Sequence, residues 1–292
     1  ITAIYFYLNF LLQISCNHYF KIYKHIDMLS IYTMDVDKNT QHENVSVISK
    51  DTIRRLIKDI RQLKKTPLDD HGIYYMHDEE HFLTGRALFI GPPDTPYHGG
   101  YYYFEFKYPH DYPHRPPKVI YHTNDGHTRM NPNLYRNGKV CLSILNTWQG
   151  DQWSGCQTIS STLLSILGSV FTNAPLLNEP GISRSHKDYQ KYQDIITYQN
   201  YNIAMCNVLK SKTISKCFRC FNDIARDHFL KNYEDIKKRV EIDKIGYANK
   251  HNGKGATKKD TVCTSIYNMT VSINYKKLQS NLESLNQSFS HR

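Results

Sequence analysis

The chain has 292 residues, 40% of them hydrophobic, with a formal net charge of +10. That length suits one domain plus extensions, and that hydrophobic content supports a buried core. Residues 1–50 hold 4 basic and 4 acidic side chains, 51–180 hold 13 of each and 181–292 hold 20 and 10, so the excess is a C-terminal appendage and no nucleic-acid partner is expected.

Seven cysteines, odd in number and widely spaced, make no disulfide framework and favour a reducing compartment, cytoplasmic, nuclear or both. Cys217-Phe218-Arg219-Cys220 is a single CxxC with no second pair, and His228 falls outside zinc-ligand spacing, so no metal is expected. The apolar run 1–14 is shorter than the roughly 20 residues that span a bilayer and has no basic leader, so no membrane partner is expected. Residues 1–48 read as an N-terminal extension, disordered or from an over-extended reading frame.

Ser49 or Asp51 can cap a helix over 52–65, with Ile53, Leu56, Ile57, Ile60 and Leu63 at the helical period and Arg54, Arg55, Lys58 and Arg61 on the other face. Thr66-Pro67 ends it. Segments 73–76, 82–90, 101–108 and 118–122 read as strands, rich in aromatic and β-branched residues and divided by Pro/Gly turns. Serial hairpins make them a four-stranded antiparallel meander.

The stretch that follows is the chemically informative one. Pro132 stiffens the backbone at 131–133, and Asn137-Gly138 is a turn whose glycine can take positive φ. Val140-Cys141-Leu142 then anchors beside the core. A stiff bend bearing an amide, a tight turn and a thiol can set a nucleophile opposite a hydrogen-bond donor, which suits thiolate attack on an acyl carbon. The competing reading is a buried structural cysteine after an ordinary loop.

Beyond it, Ile159, Leu163, Ile166, Leu167 and Val170 give a helix over 159–171, stopped by Asn173-Ala174-Pro175. Residues 189–209 read as another helix and 222–240 as a charged amphipathic one. Residues 245–259 read as a flexible linker, and 278–285 as a short terminal helix. The fold class is α+β, with helices packed on one sheet.

Four ordered blocks resemble the ubiquitin-conjugating enzymes over about residues 49–209. Gly91-Pro92-Pro93-Asp94-Thr95-Pro96-Tyr97-His98-Gly99-Gly100 resembles that family's turn between its first two core strands, and Tyr112-Pro113-His114-Arg115-Pro116-Pro117 its Tyr-Pro-x-x-Pro-Pro segment. The stretch from Asn131 to Leu145 resembles its active-site loop, and Trp153-Ser154 precedes a helix as in the family. Asn131 in place of the usual His, the insertion Thr147-Trp148-Gln149-Gly150 and Asn178-Glu179-Pro180-Gly181 resemble the Z branch, whose members have extended termini.

The resemblance implies the family's UBC fold over 49–209, leaving 210–244 as a helical extension and 245–292 as a basic, largely flexible tail. It implies that Cys141 carries ubiquitin or a ubiquitin-like modifier as a thioester. Thiols with a pKa of about 8.5 keep a few per cent thiolate at neutral pH, enough for acyl exchange between held partners. Asn133 would serve as oxyanion donor or loop brace, Glu179 would sit near the incoming lysine, and Asn131 and Pro132 would support the loop. Arg54, Arg55 and Lys58 match the face relatives turn to the activating enzyme. His114, Ser154 and Gly155 match the ligase-facing surface, where relatives are more apolar. The implied partners are the modifier, an activating enzyme, a ligase and substrate proteins. The protein is expected to be a monomer, without a cofactor, since ATP is used by the activating enzyme. This reading expects the Cys141 sulfur to be reachable from solvent and to face the Asn133 amide across a shallow groove. An inactive ubiquitin-binding variant and a cysteine hydrolase are the alternatives.

Overall fold

The structure is a computed structural model and describes residues 48–210, 216–255 and 259–290. The expectations for residues 1–47 lie outside the described residues.

Helix α1 (Lys50–Lys65) is capped by Ser49, whose hydroxyl accepts from the Thr52 N–H at 3.0 Å. Leu56 and Leu63 are buried and Ile60 packs against the core. The inward stripe is not wholly apolar, however. Ile53 and Ile57 are only half-buried, while Asp59 is buried. Asp59 is tolerated inside because the Tyr112 hydroxyl donates to it at 2.7 Å and Arg55 Nε at 2.9 Å.

Strands β1 (Ile73–His77), β2 (Thr84–Ile90), β3 (Tyr101–Lys107) and β4 (Lys118–Tyr121) form an antiparallel sheet in the order β1-β2-β3-β4. The register sets Tyr75, Ala87, Phe104 and Tyr121 in one row across it. Burial along β3 is nearly continuous because both faces of the sheet are covered. On one face Phe89 packs on Phe104 and on Phe171, just past helix α2 (Ile159–Val170). On the other, Tyr103 packs on Phe218 and Phe221. Those two phenylalanines sit on the short helical turn Lys216–Phe221 that also carries the CxxC, with Cys217 half-buried and Cys220 exposed.

Helix α3 (Tyr189–Gln199) continues through π-helical turns at Asn200–Asn207. The single helix expected over 222–240 is two, α4 (Asn222–Lys231) and α5 (Tyr233–Lys250). The break is Asn232, at φ −107° and ψ 12°, whose side-chain amide donates to the His228 carbonyl at 2.8 Å.

The expectation of a flexible tail over 245–292 is corrected. Helix α5 runs on to Lys250, and a hairpin of β5 (Asp260–Thr264) and β6 (Met269–Ile273) precedes helix α6 (Tyr275–Ser290). Val262 and Thr264, then Met269, Val271 and Ile273, alternate inward with polar neighbours outward, as one buried face requires. Tyr275, Leu278, Leu282 and Leu285 give α6 its buried stripe, so the terminal helix is longer than 278–285. The glycine- and asparagine-rich run at 245–255 hid this pattern, and the basic residues sit around the apolar face rather than replacing it. Among the described residues, no helix is long and apolar enough to cross a membrane.

Candidate active site

The loop between β4 and α2 is built as its residues demand. Gly138 sits at φ +87°, and a Cβ there would lie 2.9 Å from the Tyr121 carbonyl oxygen, so the turn needs glycine. The Gly138 N–H donates to Tyr135 O at 2.9 Å, and Gly138 O accepts from the Tyr121 N–H at 2.8 Å, fastening the turn to β4.

Asn131 is fully buried and ties this loop to the core. Its amide nitrogen donates to the Tyr97 hydroxyl at 2.9 Å and to Val170 O at 2.8 Å, and its Oδ1 accepts from the Asn133 N–H at 2.8 Å. Pro132 beside it is buried. Asn133 is clamped to Cys141 twice: the Cys141 N–H donates to Asn133 O at 2.9 Å, and Asn133 Nδ2 donates to Cys141 O at 2.6 Å. From the other side the Thr147 hydroxyl donates to Val140 O at 2.9 Å and accepts from the Leu142 N–H at 2.9 Å.

Two expectations about this pair need correction. Cys141 is only 2% exposed, and the Asn133 amide is engaged by the Cys141 carbonyl rather than presented to an open groove. The burial differs in kind from that of the neighbours. Val140 and Leu142 join the apolar core, whereas Cys141, on the opposite side of this extended stretch, is outside that cluster. It lies where the loops bearing Asn133 and Asn178 converge. Asn178 Nδ2 donates to Asn133 Oδ1 at 2.9 Å and to Ser169 O at 2.7 Å, fixing the start of the loop that carries half-buried Glu179.

The other predicted residues gather elsewhere. Arg55 is largely enclosed: it donates to Gly155 O at 2.7 Å, to Gln157 O and to Asp59, so it braces α1 against the loop before α2. Arg54 and Lys58 are exposed, Arg54 with Asp51 at 3.5 Å. His114, Ser154 and Gly155 are also exposed. Their loops meet where Trp153 Nε1 donates to Pro113 O at 2.7 Å.

Several residues that bear on the site were not singled out from sequence. Arg129 lies between the rings of Tyr135 and Tyr267, 3.4 and 5.0 Å from their centroids, and donates to Pro132 O at 2.6 Å and Asn131 O at 3.2 Å. The loop joining β5 to β6 reaches it. There the Tyr267 hydroxyl donates to Glu179 Oε2, and Tyr267 O accepts from Arg136 Nη2. Burial, then the Glu179 carboxylate, hold the Tyr267 phenol well above its ordinary range, so it stays protonated and donates. Buried Asp188 anchors the same loop, its Oδ2 accepting from the Ser265 N–H at 2.8 Å, the Ser265 hydroxyl at 2.6 Å and the Ile266 N–H at 2.9 Å. Burial alone would raise its carboxyl, but these bonds outweigh that and lower it. The contacts that Tyr267, Ser265 and Ile266 make have no local sequence signal, since their partners Glu179, Arg136 and Asp188 are distant along the chain. Among the described residues, no three His, Cys, Asp or Glu side chains converge as metal ligands do.

The arrangement offers a shielded thiol whose backbone is clamped by Asn133, on loops tied together by Asn131, Asn133 and Asn178, which suits acyl transfer. The family model for "Ubiquitin-conjugating enzyme" matches residues 55–200, half of the chain. Ubiquitin-conjugating enzyme E2 Z of Danio rerio is 40% identical over 189 residues, 64% of this chain and 56% of that protein. The Homo sapiens protein of that name is 39% identical over 183 residues, 62% and 50%. The human dual E2 ubiquitin-conjugating enzyme/E3 ubiquitin-protein ligase BIRC6 is 36% identical over 203 residues, 65% of this chain and 4% of that one. The chain spans little more than half the length of the E2 Z proteins it matches. With the four-stranded meander, the flanking helices and the Asn131–Cys141 loop in place, the chain belongs to the ubiquitin-conjugating enzyme family, on its Z branch.

Proposed function

We propose that the chain is a ubiquitin-conjugating enzyme in activity, carrying ubiquitin or a ubiquitin-like modifier on Cys141. The Cys141 thiolate attacks the carbonyl of the modifier's thioester on the activating enzyme; one C–S bond forms, the other breaks, and the activating enzyme's thiolate leaves. A substrate lysine amine, or a ligase cysteine, then attacks the Cys141 thioester and the Cys141 thiolate departs. Glu179 orients the amine and takes its proton. ATP is spent upstream, so no cofactor is bound here. The observation that carries the reading is the double clamp of Asn133 on Cys141 in a chain of this family. Because the amide is spent on the Cys141 carbonyl, it supports Asn133 as loop brace rather than as a standing oxyanion donor.

Of these three, the exposed Arg54 and Lys58 are the cations that meet an activating enzyme, and Arg55 acts by holding the loop that bears Gly155. The joined surface of His114, Ser154 and Gly155 is the proposed ligase contact. Substrate proteins would be met as a monomer in the cytoplasm or nucleus, with no nucleic acid or membrane involved.

The shielding of Cys141 favours one second reading, an inactive ubiquitin-binding variant. One assay separates the two. The full chain is incubated with ATP, tagged modifiers and their activating enzymes, then run on a non-reducing gel. A thiol-labile adduct that disappears in Cys141→Ala supports the carrier. The absence of any adduct, with modifier binding retained, supports the variant.

A further inference from the structure

The loop Ser265–Asn268 turns the C-terminal hairpin with Tyr267 at φ 59° and Asn268 at φ 47°. A bulky aromatic seldom adopts left-handed backbone. Asparagine or glycine would make such a turn without the strain, so turning the chain does not explain tyrosine at this place. What holds it there is contact on several sides. Asp188 fixes the two residues before it, the Arg129 guanidinium lies 5.0 Å from its ring centroid, and Tyr192 packs against its edge at 6.1 Å. Its backbone carbonyl takes Arg136, five residues before Cys141 on one wall of the site, while its hydroxyl takes Glu179 on the other.

We propose that Tyr267 is a positioning residue for transfer to an amine: it fastens Glu179 Oε2, so that Oε1 is the oxygen left to meet the incoming lysine beside the Cys141 thioester. The phenol keeps its own proton throughout, and the amine's proton passes to the carboxylate as the C–N bond forms and the C–S bond breaks. Fixing one oxygen removes rotation about the carboxylate's last bond, which matters because a base must lie within hydrogen-bond reach of the proton it takes. The hairpin is thus part of the site although Tyr267 lies 88 residues beyond Glu179 in the chain. This assignment rests on the roles proposed above for Cys141 and Glu179.

The test uses the full chain, charged with tagged ubiquitin by its activating enzyme, then mixed with free lysine. Tyr267→Phe should charge at the wild-type rate and discharge roughly fivefold to tenfold more slowly, a part of what a general base supplies. In a Glu179→Ala background the same substitution should change discharge by less than about twofold, because the two residues act as a unit. Glu179→Gln, which keeps an acceptor for the phenol but no base, should slow discharge more than Tyr267→Phe does. Equal losses in both backgrounds would make Tyr267 merely structural and overturn the assignment. Faster charging with unchanged discharge would make the hairpin tip a lid and overturn it too. A wild-type chain that takes no modifier would instead sink the carrier reading itself, and this role with it.

Discussion

Asn133 gives its side-chain amide, at 2.6 Å, to the carbonyl of the residue whose thiol is proposed to react, Cys141. The Cys141 N–H returns a bond to Asn133 O at 2.9 Å, so the two residues close a small ring that fixes the backbone under the sulfur. An amide used in this way sets where the thiol sits before any oxyanion exists.

Asn133→Ala should therefore slow charging and discharge together, by roughly tenfold or more. It should also lower stability by about 1–2 kcal/mol, a Tm decrease of a few degrees. Single-turnover gels for each step, with a thermal melt, make the comparison. Normal charging with discharge alone reduced, by something like 10²–10³-fold, would instead assign Asn133 the oxyanion.

The three cations of α1 should separate into two classes. Arg55 is part of a buried ion pair with Asp59 and bonds two carbonyls across to the α2 loop. Removing it takes away the charge partner of Asp59 and leaves the buried carboxylate with the Tyr112 hydroxyl alone, so Arg55→Ala should cost about 3 kcal/mol and lower Tm by roughly 5–10 °C. Arg54→Glu and Lys58→Glu change exposed positions and should leave Tm within about a degree, because such sites contribute little to stability. If this face meets the activating enzyme, those two substitutions raise the enzyme concentration needed for half-maximal charging. Unchanged charging would remove the contact from α1.

The sheet, α1, α2 and the reactive loop were legible because each rests on local chemistry. Period-2 and period-3.6 patterns fix which face is buried, and a Pro bend with an Asn-Gly turn fixes the loop's shape. What the sequence hid was long-range. Asp59 looks like a surface residue until Tyr112 and Arg55 close on it, and Arg129 looks like any loop cation until two rings enclose it. The tail misled for a related reason. Its charge and its Gly/Asn run are what a solvated segment would carry, whereas its buried side chains are spread over two short strands and one helix. Cys141 was expected to be open because reactive thiols usually are, and sequence does not report how closely neighbouring loops fold over a side chain.

His77 makes stability depend on pH in a stated direction. Burial pushes its imidazole down to about 4. The neutral ring is satisfied as it stands, Nε2 donating to Phe82 O at 2.7 Å and Nδ1 accepting from the Tyr75 hydroxyl at 2.9 Å. The unfolded chain binds this proton near pH 6.5 and the folded chain only near 4. The stabilisation is thus complete above 6.5, weakens as pH falls through the window and is gone below 4. It amounts to at most about 3 kcal/mol. Urea melts between pH 7 and 4 should show that decline, and His77→Gln, which does not titrate, should flatten it. An equal slope in the variant would place the acid sensitivity elsewhere.

Asp188 is what the C-terminal hairpin hangs from, and its loss tests whether the hairpin tip is held at all. Three donors converge on one carboxylate oxygen, and hydrogen bonds to a charged acceptor are among the stronger ones. In Asp188→Ala the Ser265 and Ile266 N–H groups lose their acceptor, at a local cost of about 3 kcal/mol, or roughly a hundredfold faster amide exchange at those positions. The inward residues Val262, Val271 and Ile273 keep their burial, so exchange in the body of β5 and β6 should change far less. The same carboxyl titrates below its ordinary value, so its contribution is present above that value and is lost as pH falls through the lowered one. Wild-type exchange at Ser265 and Ile266 should therefore approach that of Asp188→Ala only at strongly acidic pH. Uniform protection in the variant at neutral pH would mean that the contacts of Tyr267 with Arg129, Arg136, Glu179 and Tyr192 hold the tip without Asp188.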